Sequence, residues 1–307
     1  MASKQPDLAW RIGGPQGSGV DTAAQLFSFA CAAGGLVVFG RREYYSNIMG
    51  RHSYYDVRVA NHNLTSHRET IDLLASFEAE TLARHAAAVV SEGAIIYNTD
   101  DAEVDLARLS FLNDRARQSI AKRLAKRELP PTTAGVLEEA RQKGVHTFGL
   151  PYDDIVGKVA DNMDIPKSVA QRASNTVAVA ASIALLGYVP DCLVRALEKV
   201  FPDRTGIIRL NVGAAELTYD FVQLGFDTDG FGQRLMPVDD GEQRVLVSYS
   251  CDLDCGRHRS LEASEIENRS GPRSEHDKAS HRNIGCGLRA SGWIVWILYR
   301  LEIRSRE

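Results

Sequence analysis

The chain has 307 residues, 44% of them apolar and 25% charged, with a formal net charge of −4. That is the balance of a globular protein with room for one large or two small domains, and the charge argues against a general nucleic-acid binder. No apolar run reaches the roughly eighteen residues of a membrane span, the N-terminus lacks a signal-peptide segment, and five scattered cysteines read as reduced thiols, so composition predicts a cytoplasmic chain.

Residues 8–12 form an apolar run that predicts the first strand. It leads into Gly13, Gly14, Gly17 and Gly19, then into an apolar helical pattern from Val20 to about Ala33 and a second strand-like run, 36–39. Glycine accepts φ > 0 at a sharp turn and lets backbone N–H groups approach a ligand; the helix N-terminus that follows favours an anion. A Rossmann fingerprint is excluded, because Thr22 stands where the third glycine after Gly17 and Gly19 is required. A P-loop is excluded too, because Val20 and Asp21 follow Gly19 in place of Lys and Ser/Thr. A tight turn with no ligand is the other reading of the same spacing.

Further on, the pattern predicts strands at 53–60, 71–77, 93–97 and 146–150. Helices are expected at 78–84 and 135–143, and a polar turn at 98–101. Alternating strands and helices predict a mostly parallel sheet covered on both faces. Residues 106–128 are Arg/Lys-rich with helical period and read as a solvated arm or lid, broken by Leu129-Pro130-Pro131. Residues 152–222 read as successive helices broken at Pro166, Pro190 and Pro202, with small residues through 173–184 suited to close packing. The fold class is therefore α/β, a parallel-rich sheet flanked by helices with a helical C-terminal extension. Residues 226–240 are Gly/Asp-rich and read as a linker. Beyond it, 251–306 is dense in Arg, Ser, His and Glu, with no sustained period.

The Gly13-Gly14-Pro15-Gln16-Gly17-Ser18-Gly19 loop and the segment GRREYYSNIMGRHSYYDVRV at 40–59 resemble the γ domain of 2-oxoacid:ferredoxin oxidoreductases. The nearest form is the one fused to the front of the large, alpha, subunit in two-subunit archaeal enzymes. Weaker motifs, IDLLASFEAET at 71–81, LPYDDI at 150–155 and RASNTVAVAASIALLG at 172–187, carry the resemblance across residues 1–225. It implies an enzyme that oxidatively decarboxylates a 2-oxoacid, such as pyruvate, to acyl-CoA and reduces ferredoxin. Thiamine diphosphate, Mg²⁺ and [4Fe-4S] clusters serve the complex. It also implies a hetero-oligomer with a thiamine-binding beta subunit and ferredoxin as partners. In such a complex this chain is expected to be structural, to help enclose coenzyme A, to contribute no catalytic residue and to be inactive alone. The alternative is a stand-alone nucleotide- or phosphate-binding module of similar fold.

By that resemblance Gly14, Gln16, Gly17, Ser18 and Gly19 lie on the phosphate or coenzyme A side. Arg42, Glu43, Tyr44, Asn47, Gly50, Arg51 and His52 form an interface or substrate-proximal loop, in which Arg41 and Arg42 could clamp a carboxylate or phosphate. His52 with Glu43 could form an acid/base pair, or His52 could be a hydrogen-bonded loop histidine. Lys122, Arg123, Lys126 and Arg127 read as a basic face for coenzyme A phosphates or as a solvated helix. Asn175 reads as a helix–helix hydrogen-bonding residue. Two departures weaken particular contacts: Met49 and Ala134 stand where the relatives carry lysine. Cys251-x₃-Cys255-x₂-His258, with Cys286, fits no strong zinc template, so no metal site is expected. A Cys-rich iron–sulfur pattern is missing as well, which assigns any cluster to another chain. A Gly-Asn start to a pyrimidine-binding domain and a Tyr-Pro-Ile-Thr-Pro motif are both missing where the family continues. We therefore expect a domain at 1–225, a linker at 226–240 and an atypical tail at 241–307, which reads as the product of a frameshift or truncation near Gly241 or, alternatively, as an unrelated but genuine tail domain.

Overall fold

The computed structural model describes residues 7–44, 50–228, 230–238, 244–251 and 298–300. Strand β1 (Asp7–Pro15) lies at the centre of the sheet and sends its chain through the glycines into helix α1 (Val20–Ala33) and strand β2 (Val37–Tyr44). Strands β3 (His52–Ala60), β4 (Ile71–Ser76), β5 (Val89–Asn98) and β6 (His146–Leu150) follow, with β7 (Arg244–Cys251) and β8 (Leu298–Arg300). Among the described residues the strand order is β6-β5-β4-β1-β3-β2-β7-β8.

Strands β1, β4, β5 and β6 are parallel neighbours. Strand β3 runs antiparallel between β1 and β2, so β1-α1-β2 is a crossover whose two parallel strands are held apart by a third. The sheet is parallel-rich as alternation predicted, with β3 and β8 as its antiparallel members among the described residues. Residues 45–51, which join β2 to β3, are too few for a crossover, since a parallel return needs about a dozen residues or more.

Period-two alternation divides the side chains between two unlike faces. Leu8, Trp10 and Ile12 of β1 join Leu73 and Ala75 of β4 in a large apolar core. Over it lie α1 and the helical extension: α5 (Tyr152–Met163), α6 (Lys167–Ala170), α7 (Ser174–Leu185), α8 (Pro190–Val200) and α9 (Thr205–Gly225). Trp10 stacks on Phe27 with ring centroids 4.2 Å apart, and its indole Nε1 donates to Ser182 Oγ at 3.0 Å. The small residues of α7 are buried from Thr176 to Leu185, which allows the close approach expected of them.

On the opposite face Leu74, Ile95 and Tyr97 pack against α2 (Ala79–His85), α3 (Asp114–Ala125) and α4 (Thr133–Gln142). The expected long helix at 106–128 is shorter. Asn113 caps α3 by accepting from Ala116 N at 2.8 Å, and the chain before it makes only a 3₁₀ turn at Leu106–Arg108. Ile120 and Leu124 bury one stripe of α3, so it is an amphipathic covering helix and not a solvated arm. Residues 230–238 fold back onto the extension: Leu235 N donates to Leu186 O at 3.0 Å, and Val238 N donates to Gly34 O at 2.7 Å.

Replacing Ser182 with Ala strands the buried Trp10 N–H. The expected loss is about 1–3 kcal/mol, the cost of an unsatisfied buried donor. Denaturant unfolding of the variant measures it, and Trp10→Phe combined with Ser182→Ala is expected to add little to Trp10→Phe alone.

Candidate functional site

The glycine-rich turn is built by its own backbone and by two distant side chains. Gln16 N donates to Arg51 O at 2.6 Å and Gly50 N donates to Gln16 O at 3.1 Å, which extends the β1–β3 ladder past Pro15. Gly19 serves as N-cap of α1 at φ 90°, and Gly17 has φ 91°. Any Cβ at Gly19 would also overlap the side-chain amide nitrogen of Asn175. Asn175, expected between helices, therefore reaches from the start of α7 across the loop. At Gly14 a Cβ would come 2.9 Å from Phe77 Cβ and 3.0 Å from Ser18 Oγ. Ser18 Oγ is buried and without a hydrogen-bond partner among the described residues.

Beside this turn the second face of the sheet carries a buried polar line. Arg11, Asp56 and Arg41 are direct cross-strand partners on β1, β3 and β2. Arg11 donates through Nε (2.5 Å) and Nη2 (2.9 Å) to the two oxygens of Asp56, and Arg41 Nη2 reaches Asp56 Oδ2 at 3.2 Å. Arg41 also meets Glu43 at 3.0 Å and touches His67. The Arg11 guanidinium lies 4.3 Å from the Tyr54 ring centroid, an arrangement favourable to a cation.

From Arg11 the line continues to the rim. Arg11 Nη1 lies 3.1 Å from His85 Nδ1, His85 Nε2 lies 2.8 Å from His52 Nε2, and His52 Nδ1 lies 2.8 Å from Glu78 Oε1. A guanidinium can only donate, and this sets every tautomer in turn. His85 accepts at Nδ1 and donates from Nε2; His52 accepts at Nε2 and donates from Nδ1 to Glu78. Burial, with the nearby Arg84 charge, lowers His52 to about 3, and burial with His52, Arg11 and Arg84 holds His85 well below its usual range. The His52–Glu78 contact is therefore a hydrogen bond from a neutral imidazole. Burial raises Glu78 to about 7 despite Arg84, and raises Asp101, next to Glu78 in its field, to about 6.

Of the residues singled out in the loop, Arg42 is paired with Asp21 in the first turn of α1. Glu43 is buried, and its carbonyl accepts from Ser53 Oγ at 3.4 Å. Tyr44 ends β2 opposite Cys251, and Asn47 and Met49 lie outside the described residues. Gly50 has φ 84° and faces Phe111, Arg51 is exposed and His52 is buried as the first residue of β3. Arg41 and Arg42 point to opposite faces and bind carboxylates of this chain, so they do not make one clamp. His52 meets Glu78 and His85 in place of Glu43.

Arg123 on α3, Arg127 just past its end and Lys143 converge on the buried Glu139 at 2.9, 3.6 and 3.5 Å. Ala134 lies in the first turn of α4. Cys251 ends β7, whereas Cys255, His258 and Cys286 lie outside the described residues, among which no group of three or more His, Cys, Asp or Glu could hold a metal ion. No helix among the described residues is long and apolar enough to cross a membrane. Sequence reading missed Arg11, Asp56, Glu78 and His85; the available signal was charge at Arg11 and Asp56 inside otherwise apolar strands.

Residues 9–221 match the family described as pyruvate ferredoxin/flavodoxin oxidoreductase. The chain is 36% identical over 216 residues to 2-oxoacid:ferredoxin oxidoreductase 1, subunit alpha, of Sulfurisphaera tokodaii, covering 70% of this chain and 34% of that protein. The corresponding subunit alpha of Saccharolobus solfataricus is 36% identical over 217 residues, with coverage of 70% and 34%. The chain thus spans about a third of the length of these curated relatives. In fold it is similar to the 2-oxoglutarate:ferredoxin oxidoreductase of Magnetococcus marinus solved with 2-oxoglutarate, coenzyme A and succinyl-CoA. That match has a TM-score of 0.56 and 18% identity, and covers 80% of this chain and 36% of that one.

Gly19→Ala is expected to cost at least the ~1–2 kcal/mol of a left-handed non-glycine residue, with the Asn175 overlap added. Asn175→Gly in the same chain relieves only the overlap, so in denaturant unfolding the double variant is expected to lose less stability than the two single variants summed. The polar line also gives stability opposing pH limbs. The depressed His52 contributes stability that is present above its ordinary 6.5 and lost as pH falls through about 3. The raised Glu78 contributes stability that is present below 4.5 and lost as pH rises through about 7. Measured against the parent chain, Glu78→Gln is expected to gain stability steadily between pH 4.5 and 7; a parallel pair of curves would refute the assignment.

Proposed function

The chain belongs to the pyruvate ferredoxin/flavodoxin oxidoreductase family, and on that premise we propose that it is the γ-domain portion of a 2-oxoacid:ferredoxin oxidoreductase. The observation that carries the reading is the alignment of most of this chain with one third of an alpha subunit. It favours a part of a larger enzyme over a stand-alone phosphate-binding module. The whole enzyme converts a 2-oxoacid, coenzyme A and two oxidised ferredoxins to acyl-CoA, CO₂, a proton and two reduced ferredoxins.

In this reading the domain at 1–225 docks the catalytic domains, the segment at 226–240 folds back along it through 230–238 in place of a free linker, and 241–307 is an atypical tail. Thiamine diphosphate, Mg²⁺ and [4Fe-4S] clusters belong to other parts of the complex, with a thiamine-binding subunit and ferredoxin as partners in the cytoplasm. The turn at Gly14, Gln16, Gly17, Ser18 and Gly19 faces the phosphate side of coenzyme A. Its fit rests on bare backbone, the N-terminus of α1 and the unpartnered Ser18 hydroxyl. The segment holding Arg42, Glu43, Tyr44, Asn47, Gly50, Arg51 and His52 faces neighbouring domains, and this chain positions rather than reacts.

The test is a tag on this chain. A complex purified through it is expected to contain thiamine diphosphate and to form acyl-CoA from pyruvate or 2-oxoglutarate with ferredoxin reduction. The isolated chain is expected to form none. Acyl-CoA from the isolated chain, or a purified complex without thiamine diphosphate, would overturn the proposal.

A further inference from the structure

The end of α4 that leads into β6 carries more positive charge than its own acids can pair. Residues 114–143, which span α3 and α4, hold eight Lys and Arg against four Asp and Glu, in a chain whose net charge is −4. Three of those cations meet at one carboxylate. Arg123 Nε lies 2.9 Å from Glu139 Oε2, while Arg127 Nε and Lys143 Nζ lie 3.6 and 3.5 Å from Glu139 Oε1. Glu138 is engaged by Arg141, and Glu128 makes no ion pair among the described residues. Three cations around one carboxylate leave an excess of two positive charges within a few ångströms, where like charges repel most.

The Glu139 side chain is 3% exposed, whereas Arg123, Arg127 and Lys143 keep 34, 41 and 34% of theirs in solvent. The carboxylate is thus the floor of the cluster and the cations are its open rim. Glu139 fixes their spacing from below, and Arg127 is held a second time, donating from Nη1 to Gln142 Oε1 at 3.3 Å. Arg123 Nη2 is buried without a hydrogen-bond partner among the described residues, so this guanidinium is under-paired as well. Like charges held at fixed spacing, with donors left over, form a preorganised receptor for an anion. We propose that Arg123, Arg127 and Lys143 bind a phosphate dianion, free or as a phosphomonoester, on the solvent side of Glu139. Guanidinium forks and an ammonium both suit a tetrahedral oxyanion, and a dianion offsets the excess that the carboxylate leaves. Lys143 closes α4 just before β6 begins, whereas the glycine-rich turn follows the end of β1. Because β1, β4, β5 and β6 are parallel neighbours, the two places lie at opposite ends of the sheet, and neither needs the other.

Equilibrium dialysis of the full chain against inorganic phosphate, and separately against glycerol 2-phosphate, tests the site at slightly alkaline pH with ionic strength held constant by chloride. Saturable binding of one phosphate per chain is expected. Arg127→Gln and Lys143→Gln change partly exposed side chains, and each is expected to weaken binding about tenfold, the loss of one charge-assisted hydrogen bond. Arg115→Gln, which removes an exposed cation from the first turn of α3, is expected to leave binding unchanged. Binding of inorganic phosphate alone assigns the free anion, and binding of glycerol 2-phosphate assigns a phosphomonoester. Absence of saturable binding of either probe to the parent chain overturns the proposal without reference to any variant. Equal weakening by Arg115→Gln would overturn it too, because diffuse charge and not a built site would then hold the anion.

Discussion

Asp56 holds two guanidiniums on one buried face of three adjacent strands, and the arrangement of the rest follows from it. Its partners Arg11 and Arg41 stand directly opposite on β1 and β2. A register slip of one residue would turn these side chains to the apolar face, so the charges specify the pairing as strictly as an apolar stripe does. Deleting one member of such a buried group leaves an uncompensated charge, typically at a cost of about 3–5 kcal/mol. The antiparallel insertion of β3 is what brings the carboxylate between the two cations.

The same ladder explains why the two faces of the sheet are unlike. One is sealed by α1 and the helical extension through Trp10, Phe27 and their apolar neighbours. The other carries a hydrogen-bonded line from Asp56 through Arg11, His85 and His52 to Glu78, a carboxyl just past the end of β4. Because Arg11 can only donate, the two histidines hold fixed hydrogen-bonding directions, and Glu78 presents a lone pair inward in either protonation state. Phe77, its neighbour, donates its N–H to Gly13 O at 2.9 Å and packs on Gly14. The polar line and the glycine-rich turn are thus one assembly at one end of β1 and β4.

Much of this was legible in the sequence. The apolar run at 8–12, the glycines, the helix from Val20 and the strands at 53–60 and 146–150 stand where alternation and helical period put them. Strand order was not legible: nothing local in β2 or β3 says that they pair antiparallel beside β1, except the shortness of 45–51. Without that order Arg11 and Asp56 read as two unrelated charges. His52 stood out in a polar loop, but its partners come from β4's exit and α2, and Glu43, nearer in sequence, turns to Arg41 instead. The arm at 106–128 misled because charge masks an amphipathic stripe as narrow as Ile120 and Leu124.

The contact between Asn175 and Gly19 bears on how the chain is made. Residues at the N-terminus leave the ribosome first, yet the glycine-rich turn is covered by a residue of α7, and Trp10 finds its hydrogen-bond partner at Ser182. Until α7 has emerged, the turn and the central strand expose apolar surface and an unpaired indole. Such long-range closure is slow, since loop entropy must be overcome before the contact forms. The nascent N-terminal half is therefore an intermediate that depends on its own later helices for protection, and a pause in translation before residue 175 would prolong that exposure.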